Sequence, residues 1–123
     1  MRKKLNLAFP YPNWYAFFRY SKEGRDMHAR TLKIQLNHDR IDEASELFSQ
    51  QVLPLCENMK GYKGGQFLAD RKTGICLMIT MWETEEDMRE TERSRFFQEQ
   101  IIKFVNLFIK PPIREIYEVL YRE

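Results

Sequence analysis

Trp82, His28 and Tyr62 are the side chains of this sequence best suited to chemistry, and each also has a plain structural use. The indole of Trp82 offers a flat wall for an aromatic substrate and one N–H to orient it; the alternative is core packing with that N–H tied to backbone. His28, with an ordinary pKa of about 6.5, is largely neutral at cellular pH and suits a general base in a cleft, or a solvated strand end. Tyr62, Tyr117 and Tyr121 carry hydroxyls that can donate to a substrate oxygen or relay a proton, or that sit at the rim of an apolar core. Asn37 can orient oxygen or a carbonyl, yet it also stands where Asn belongs, beside a turn. Trp82, Asn37, Tyr117 and Phe97 form the candidate substrate contacts. Arg30, Arg114 and Glu118 suit ion pairs at a barrel seam, an interface or the surface. Met78, Met81 and Met88 read as adaptable packing.

Other chemistries are absent from the pattern. The two histidines, His28 and His38, lie at opposite ends of one predicted strand, too far apart to share a metal ion. Cys56 and Cys76 form no CxxC or Cys/His cluster, so reduced core thiols and a cytoplasmic setting are expected. There is no nucleophile elbow, phosphate loop, dinucleotide fingerprint or zinc motif. Neither a metal nor an organic cofactor is therefore expected. Any reaction must belong to a substrate that carries its own electrons, with the protein supplying deprotonation, orientation and a dry pocket.

At 123 residues and 15.0 kDa the chain has room for one core. With 43% hydrophobic and 31% charged residues it matches a globular domain rather than a disordered or membrane protein. A net charge of +2 gives no basis for nucleic-acid binding. No run approaches the ~18 apolar residues of a membrane span. Residues 1–26 hold six of the 20 cations and two of the 18 acids, leaving the remainder slightly acidic. No export signal is expected in them, because Asn6, Pro10, Pro12 and Asn13 interrupt the stretch that would have to be apolar.

Residues 9–20 concentrate seven of the 17 aromatics in twelve positions without helical or alternating spacing. Two readings stand. One is an arm that lays its rings on an apolar surface of its own or a partner subunit. The other is an upstream extension: Lys22-Glu23-Gly24 can be encoded by a purine run resembling a bacterial ribosome-binding site, with Met27 as the start. The expected organisation is thus a segment over 1–26 and one domain over 27–123.

The elements that must position the candidate residues follow from periodicity. Residues 28–37 alternate, with Leu32, Ile34 and Leu36 on one face of a strand. Asp39 or Asp42 can cap a helix carrying Ile41, Ala44, Leu47, Phe48, Val52, Leu55 and Cys56, with Pro54 kinking its end. Residues 61–69 form a second strand, 70–74 a hairpin connection, and 75–82 a third strand with almost no polar side. Such a strand should be covered on both faces, and one chain of this size supplies helices for one face only, so a homodimer is expected. Thr84 caps a helix that breaks near Ser94 and continues as an apolar stripe of Phe96, Phe97, Ile101, Phe104, Val105 and Phe108. Pro111-Pro112 stops it, and residues 113–121 form the last strand. The order β-α-β-β-α-β is the ferredoxin-like α+β arrangement with an antiparallel sheet.

Over about residues 28–121 the chain resembles the antibiotic biosynthesis monooxygenase domain of the dimeric α+β barrel superfamily. The resemblance lies in Ile41-Asp42-Glu43-Ala44, Gly61-Tyr62-Lys63-Gly64, Asp70-Arg71-Lys72-Thr73-Gly74 and Met81-Trp82-Glu83-Thr84-Glu85-Glu86. It implies two sheets paired into a dimeric barrel, with a pocket between sheet and helices in each subunit. For members that act as enzymes it implies cofactor-independent oxidation of an aromatic quinol by O2, or haem degradation; many other members have no assigned activity. The haem-degrading branch uses a strand-3 Trp, a helix His and an early strand-1 Asn, of which only Trp82 is matched here. Residues 84–110 contain no His, and the early strand positions are Ala29, Arg30 and Thr31, so haem degradation is disfavoured. The expected protein is a cytoplasmic homodimer acting as a monooxygenase on a small aromatic molecule. The alternative is a non-catalytic dimer that binds a small hydrophobic ligand or serves as an accessory protein. Fold likeness alone does not choose between them.

Overall fold

The computed structural model describes residues 26–123; the aromatic-rich segment over residues 9–20 lies outside them. Four strands, β1 (His28–Gln35), β2 (Tyr62–Asp70), β3 (Ile75–Trp82) and β4 (Ile113–Glu118), form one sheet in the order β2-β3-β1-β4, every pair antiparallel. Helices follow β1 and β3, which makes the domain a ferredoxin-like α+β fold.

The first helical rod runs from α1 (Ile41–Leu47) through a π-helical turn (Phe48–Val52) into α2 (Leu53–Cys56). Pro54 explains the turn. Its ring cannot sit against a carbonyl four residues back, so the rod widens by one residue ahead of it, and the Leu53 N–H reaches the Phe48 carbonyl instead. The second helical region opens at Thr84, whose hydroxyl accepts from the Asp87 N–H at 3.0 Å, and continues as α3 (Glu85–Arg93). Arg95 then adopts a left-handed φ of 71° and α4 (Phe96–Ile102) follows.

The expected apolar stripe changes period after α4. Lys103, Phe104, Val105 and Leu107 donate to carbonyls three residues back, so inward positions recur every third residue. Ile101, Phe104 and Leu107 therefore face the core, whereas Val105, expected inside, is exposed. The last strand ends at Glu118, short of the expected Tyr121.

Register sorts the sheet into two faces. Leu32, Ile34, Cys76, Met78 and Trp82 lie under the helices and are buried. On the other face Ile75, Leu77, Ile79 and Met81 are only half-buried, and Leu68, Ile113 and Tyr117 are exposed. Within one chain, then, the apolar third strand is fully covered on one face and partly covered on the other.

Gly74 closes the β2–β3 hairpin with φ of 79°, and a Cβ there would collide with the Leu36 carbonyl. Its carbonyl accepts from the Leu36 N–H at 2.8 Å. Gly74→Ala is expected to lower stability by about 1–3 kcal/mol in urea unfolding, through left-handed strain and loss of this strand-end contact.

Candidate functional site

The sheet places Tyr62, Trp82, His28 and Glu118 in one lateral row across the four strands, on the helix side. The next row holds Gly65, Thr80, Arg30 and Ile116. Sequence reasoning thus selected three neighbours in Trp82, His28 and Tyr62, but it did not select the row beside them.

Trp82 is fully buried. Its Nε1–H donates to Thr80 Oγ1 at 3.0 Å, and its ring meets Tyr62 edge-on at 5.5 Å. Burial raises the Tyr62 pKa, which keeps the phenol protonated. Nδ1 of His28 lies 3.0 Å from the Asp26 carbonyl, and Nε2 is 3.7 Å from Glu85. Asn37 lies beyond the far end of β1, on an open groove with His38 and Asp39. Tyr117 lies on the opposite face of the sheet, its hydroxyl donating to Glu115 at 2.8 Å.

Between sheet and helices lies a cavity of about 40 Å³. Its floor is Arg30, Leu32, Met78 and Thr80; its roof comes from Phe48, Val52 and Cys56 of the first rod and from Phe96, Phe97, Gln100 and Ile101 around α4. Of the expected site residues, Phe97 lines it. Trp82 stands one layer back, its ring centroid 5.7 Å from the Arg30 guanidinium carbon. Such a volume holds a few waters, well short of the ~150 Å³ that accommodates benzene in a dry cavity.

Arg30 was expected in an ion pair at a seam, an interface or the surface; it does form an ion pair, with Glu92, but as a buried residue, 5% exposed. The signal was present: it alternates in phase with Leu32, Ile34 and Leu36 and so belongs to the core face. Its Nη1 donates to Thr91 Oγ1 at 2.9 Å and to Glu92 at 3.0 Å, and its guanidinium carbon lies 4.0 Å from the Phe97 ring centroid. Burial pushes the Arg30 pKa down, opposed by the hydrogen bond and charge of Glu92. Glu92 is also held by Arg114 through both oxygens, at 2.8 and 2.7 Å. Burial alone would raise the Glu92 pKa, but the hydrogen bonds and charges of Arg114 and Arg30 outweigh it and hold the carboxyl below its usual value.

Besides Thr80, whose hydroxyl accepts from Trp82, two other polar groups face the cavity. Gln100 is 6% exposed, and its Oε1 is buried without a hydrogen-bond partner. Burial pushes the Cys56 thiol up to about 11, so it is protonated at neutral pH and a poor nucleophile. Among the described residues no group of three or more His, Cys, Asp or Glu is arranged to hold a metal ion. No helix among them is long and apolar enough to cross a membrane.

Solved structures share this architecture closely. The ActVA-Orf6 monooxygenase of Streptomyces coelicolor, in complex with nanaomycin D, superposes with a TM-score of 0.62 at 14% identity, over 80% of this chain and 91% of its own. SnoaB, a cofactor-independent oxygenase of Streptomyces nogalater, gives 0.65 at 12% identity, over 79% and 96%. A candidate antibiotic biosynthesis monooxygenase of Bordetella bronchiseptica gives 0.66 at 19% identity, over 78% and 99%. The chain has the fold of the antibiotic biosynthesis monooxygenases. At these identities the likeness concerns the fold. No protein-family model matches the sequence. In sequence, the monooxygenase-fold chain is 36% identical over 70 residues to the uncharacterized protein Rv2557 of Mycobacterium tuberculosis. The matched segment is 57% of this chain and 31% of that protein, so the chain spans about a third of the curated relative it matches.

The Arg30–Glu92 pair ties β1 to α3 beneath the monooxygenase-fold cavity. Glu92→Gln is expected to cost roughly 2–4 kcal/mol in urea unfolding, because Arg30 would keep a buried charge without its counter-ion. The Glu92 pKa is lower in the folded chain than in the unfolded one. Its stabilising contribution is therefore complete above the ordinary value of about 4.3 and fades as pH falls through the lower folded value. Glu92→Gln should remove that part of the acid-side loss of stability.

Proposed function

We propose that this protein is a cofactor-independent oxygenase of a small aromatic or quinol substrate, bound in the helix–sheet cavity beside Arg30. The observation that carries the reading is a cavity lined by Phe48, Phe96 and Phe97 with one buried cation, in a fold shared with the ActVA-Orf6 monooxygenase and SnoaB. The rings suit a flat apolar body, and the guanidinium suits one oxygen on it. The electrons come from the substrate. A ring-activated CH2 and O2 give C=O and H2O: the anion passes an electron to oxygen, a C–O bond forms, and the hydroperoxide expels water. The protein's part is to hold the reactive anion away from bulk water.

A ring does not fit a volume of about 40 Å³, so admission displaces the half-buried Phe96 and Phe97 at the start of α4. The left-handed joint at Arg95 sets this short helix apart from α3. The same small volume is the specific observation that favours a second reading, a non-catalytic dimer binding a small ligand or acting as an accessory protein. Oxygen uptake separates them. With hydroquinones, naphthols and an anthrone, the first reading expects protein-dependent uptake that falls at least tenfold in Phe97→Ala, whereas no uptake across the panel removes it.

The half-covered face of β3 supports a homodimer in which two sheets close a barrel. Sedimentation should give about twice the monomer mass of 15.0 kDa. Leu77→Asp, which places a charge in the middle of that face, should shift the protein to monomer.

A further inference from the structure

We propose that two copies of this chain meet through reciprocal ion pairs on the open face of the sheet, Lys33 of each copy against the partner's Glu115. The inference rests on the preceding reading for the homodimer itself and adds the contact that sets how the two sheets register.

Strand register gives the open face three complete rows of four residues, and two of those twelve positions are charged, Lys33 and Glu115. Lys33 stands on the inner strand β1, with Leu77 on one side and Ile113 on the other. It is exposed, and among the described residues it has no ion-pair partner. A cation in the middle of an apolar face keeps other sheets away unless the surface that covers it brings an anion. The same face carries that anion. Glu115 lies one row along, on β4, and the Tyr117 hydroxyl donates to one of its oxygens at 2.8 Å, leaving the other without a hydrogen bond among the described residues. Although the two charges sit on neighbouring strands, no ion pair joins them within one chain. Asp70, at the corner of the face, is engaged by its own hairpin, its carboxylate accepting from the Lys72 N–H at 2.9 Å.

One cation and one anion per copy are what a two-fold interface needs. In such an interface the contact of residue i with j is repeated as j with i. An axis running between Lys33 and Glu115 therefore places each opposite the other and yields two matched pairs with no net charge. An axis through Lys33 itself would set two ammonium groups face to face, which weakens association. Apolar side chains along β3 drive the sheets together, and the charges select one register from those that a greasy ribbon would allow.

The test uses full-length chains and sedimentation over a dilution series. Lys33→Glu and Glu115→Lys each set like charges against one another, so either variant alone should raise the dimer dissociation constant about tenfold or more over wild type. Mixing the two restores both attractions, and they should form a heterodimer with close to wild-type affinity. Should either fail to fold alone, co-expression of the pair with a tag on one chain gives the same readout. This rescue does not arise from a contact inside one chain, because each variant then keeps two like charges side by side. Single variants that dimerise as tightly as wild type overturn the proposal and leave the homodimer standing, as does a mixture that stays monomeric where wild type is dimeric. Wild type that remains monomeric throughout the series removes the homodimer, and the ion pairs with it.

Discussion

Burying Arg30 is the constraint on which the arrangement depends. Removing a guanidinium from water is costly enough that its surroundings must be built for it: Thr91 and Glu92 receive its hydrogen bonds, and Phe97 covers its flat side. These partners come from α3 and α4, and the second claim on Glu92 comes from Arg114 on β4. One charge therefore pins both helices and an edge strand to the central strand. It also leaves a positive potential inside an otherwise apolar space, where low polarity strengthens its action on any incoming group.

The two faces of the sheet divide the work. On the helix side, successive rows carry the Trp82 layer, the Arg30 layer and then the Leu32–Met78 pair, and the cavity sits above the last two. Trp82, fully buried with its N–H bonded to Thr80, backs the guanidinium instead of lining the space. The opposite face is greasy along β3 and unfinished within one chain. The segment that roofs the cavity is short, and it is joined to its predecessor through Arg95 in a conformation that L-residues seldom adopt.

Much of the fold could be read from local pattern. Alternation marked the first and last strands, a near-continuous apolar run marked the third, Thr84 marked its helix, and the glycine of the 70–74 connection marked the hairpin. Local rules also explain the departures. Pro54 acts earlier than a simple kink would, by widening the rod upstream, and the tightened turns after Ile102 rotate Val105 outward and Leu107 inward. Which residues line the cavity was less legible. Side chains were weighed by chemical type, which favoured Trp, His and Tyr and left Arg30 among the ion pairs. Strand phase, which placed Arg30 with Leu32 and Ile34, carried the information on its burial.

The sequence by itself determined the element order, the antiparallel α+β class and the face on which each strand residue lies, because these follow from backbone period and capping within a few residues. Tertiary structure alone decided which elements meet across the core: that Glu92 lies between Arg30 and Arg114, that Gln100 lines the same space, and that Asn37 lies away from it. Those facts depend on contacts between residues about 60 positions apart, such as Arg30 with Thr91 and Glu92, and no local periodicity encodes which side chains packing will bring together.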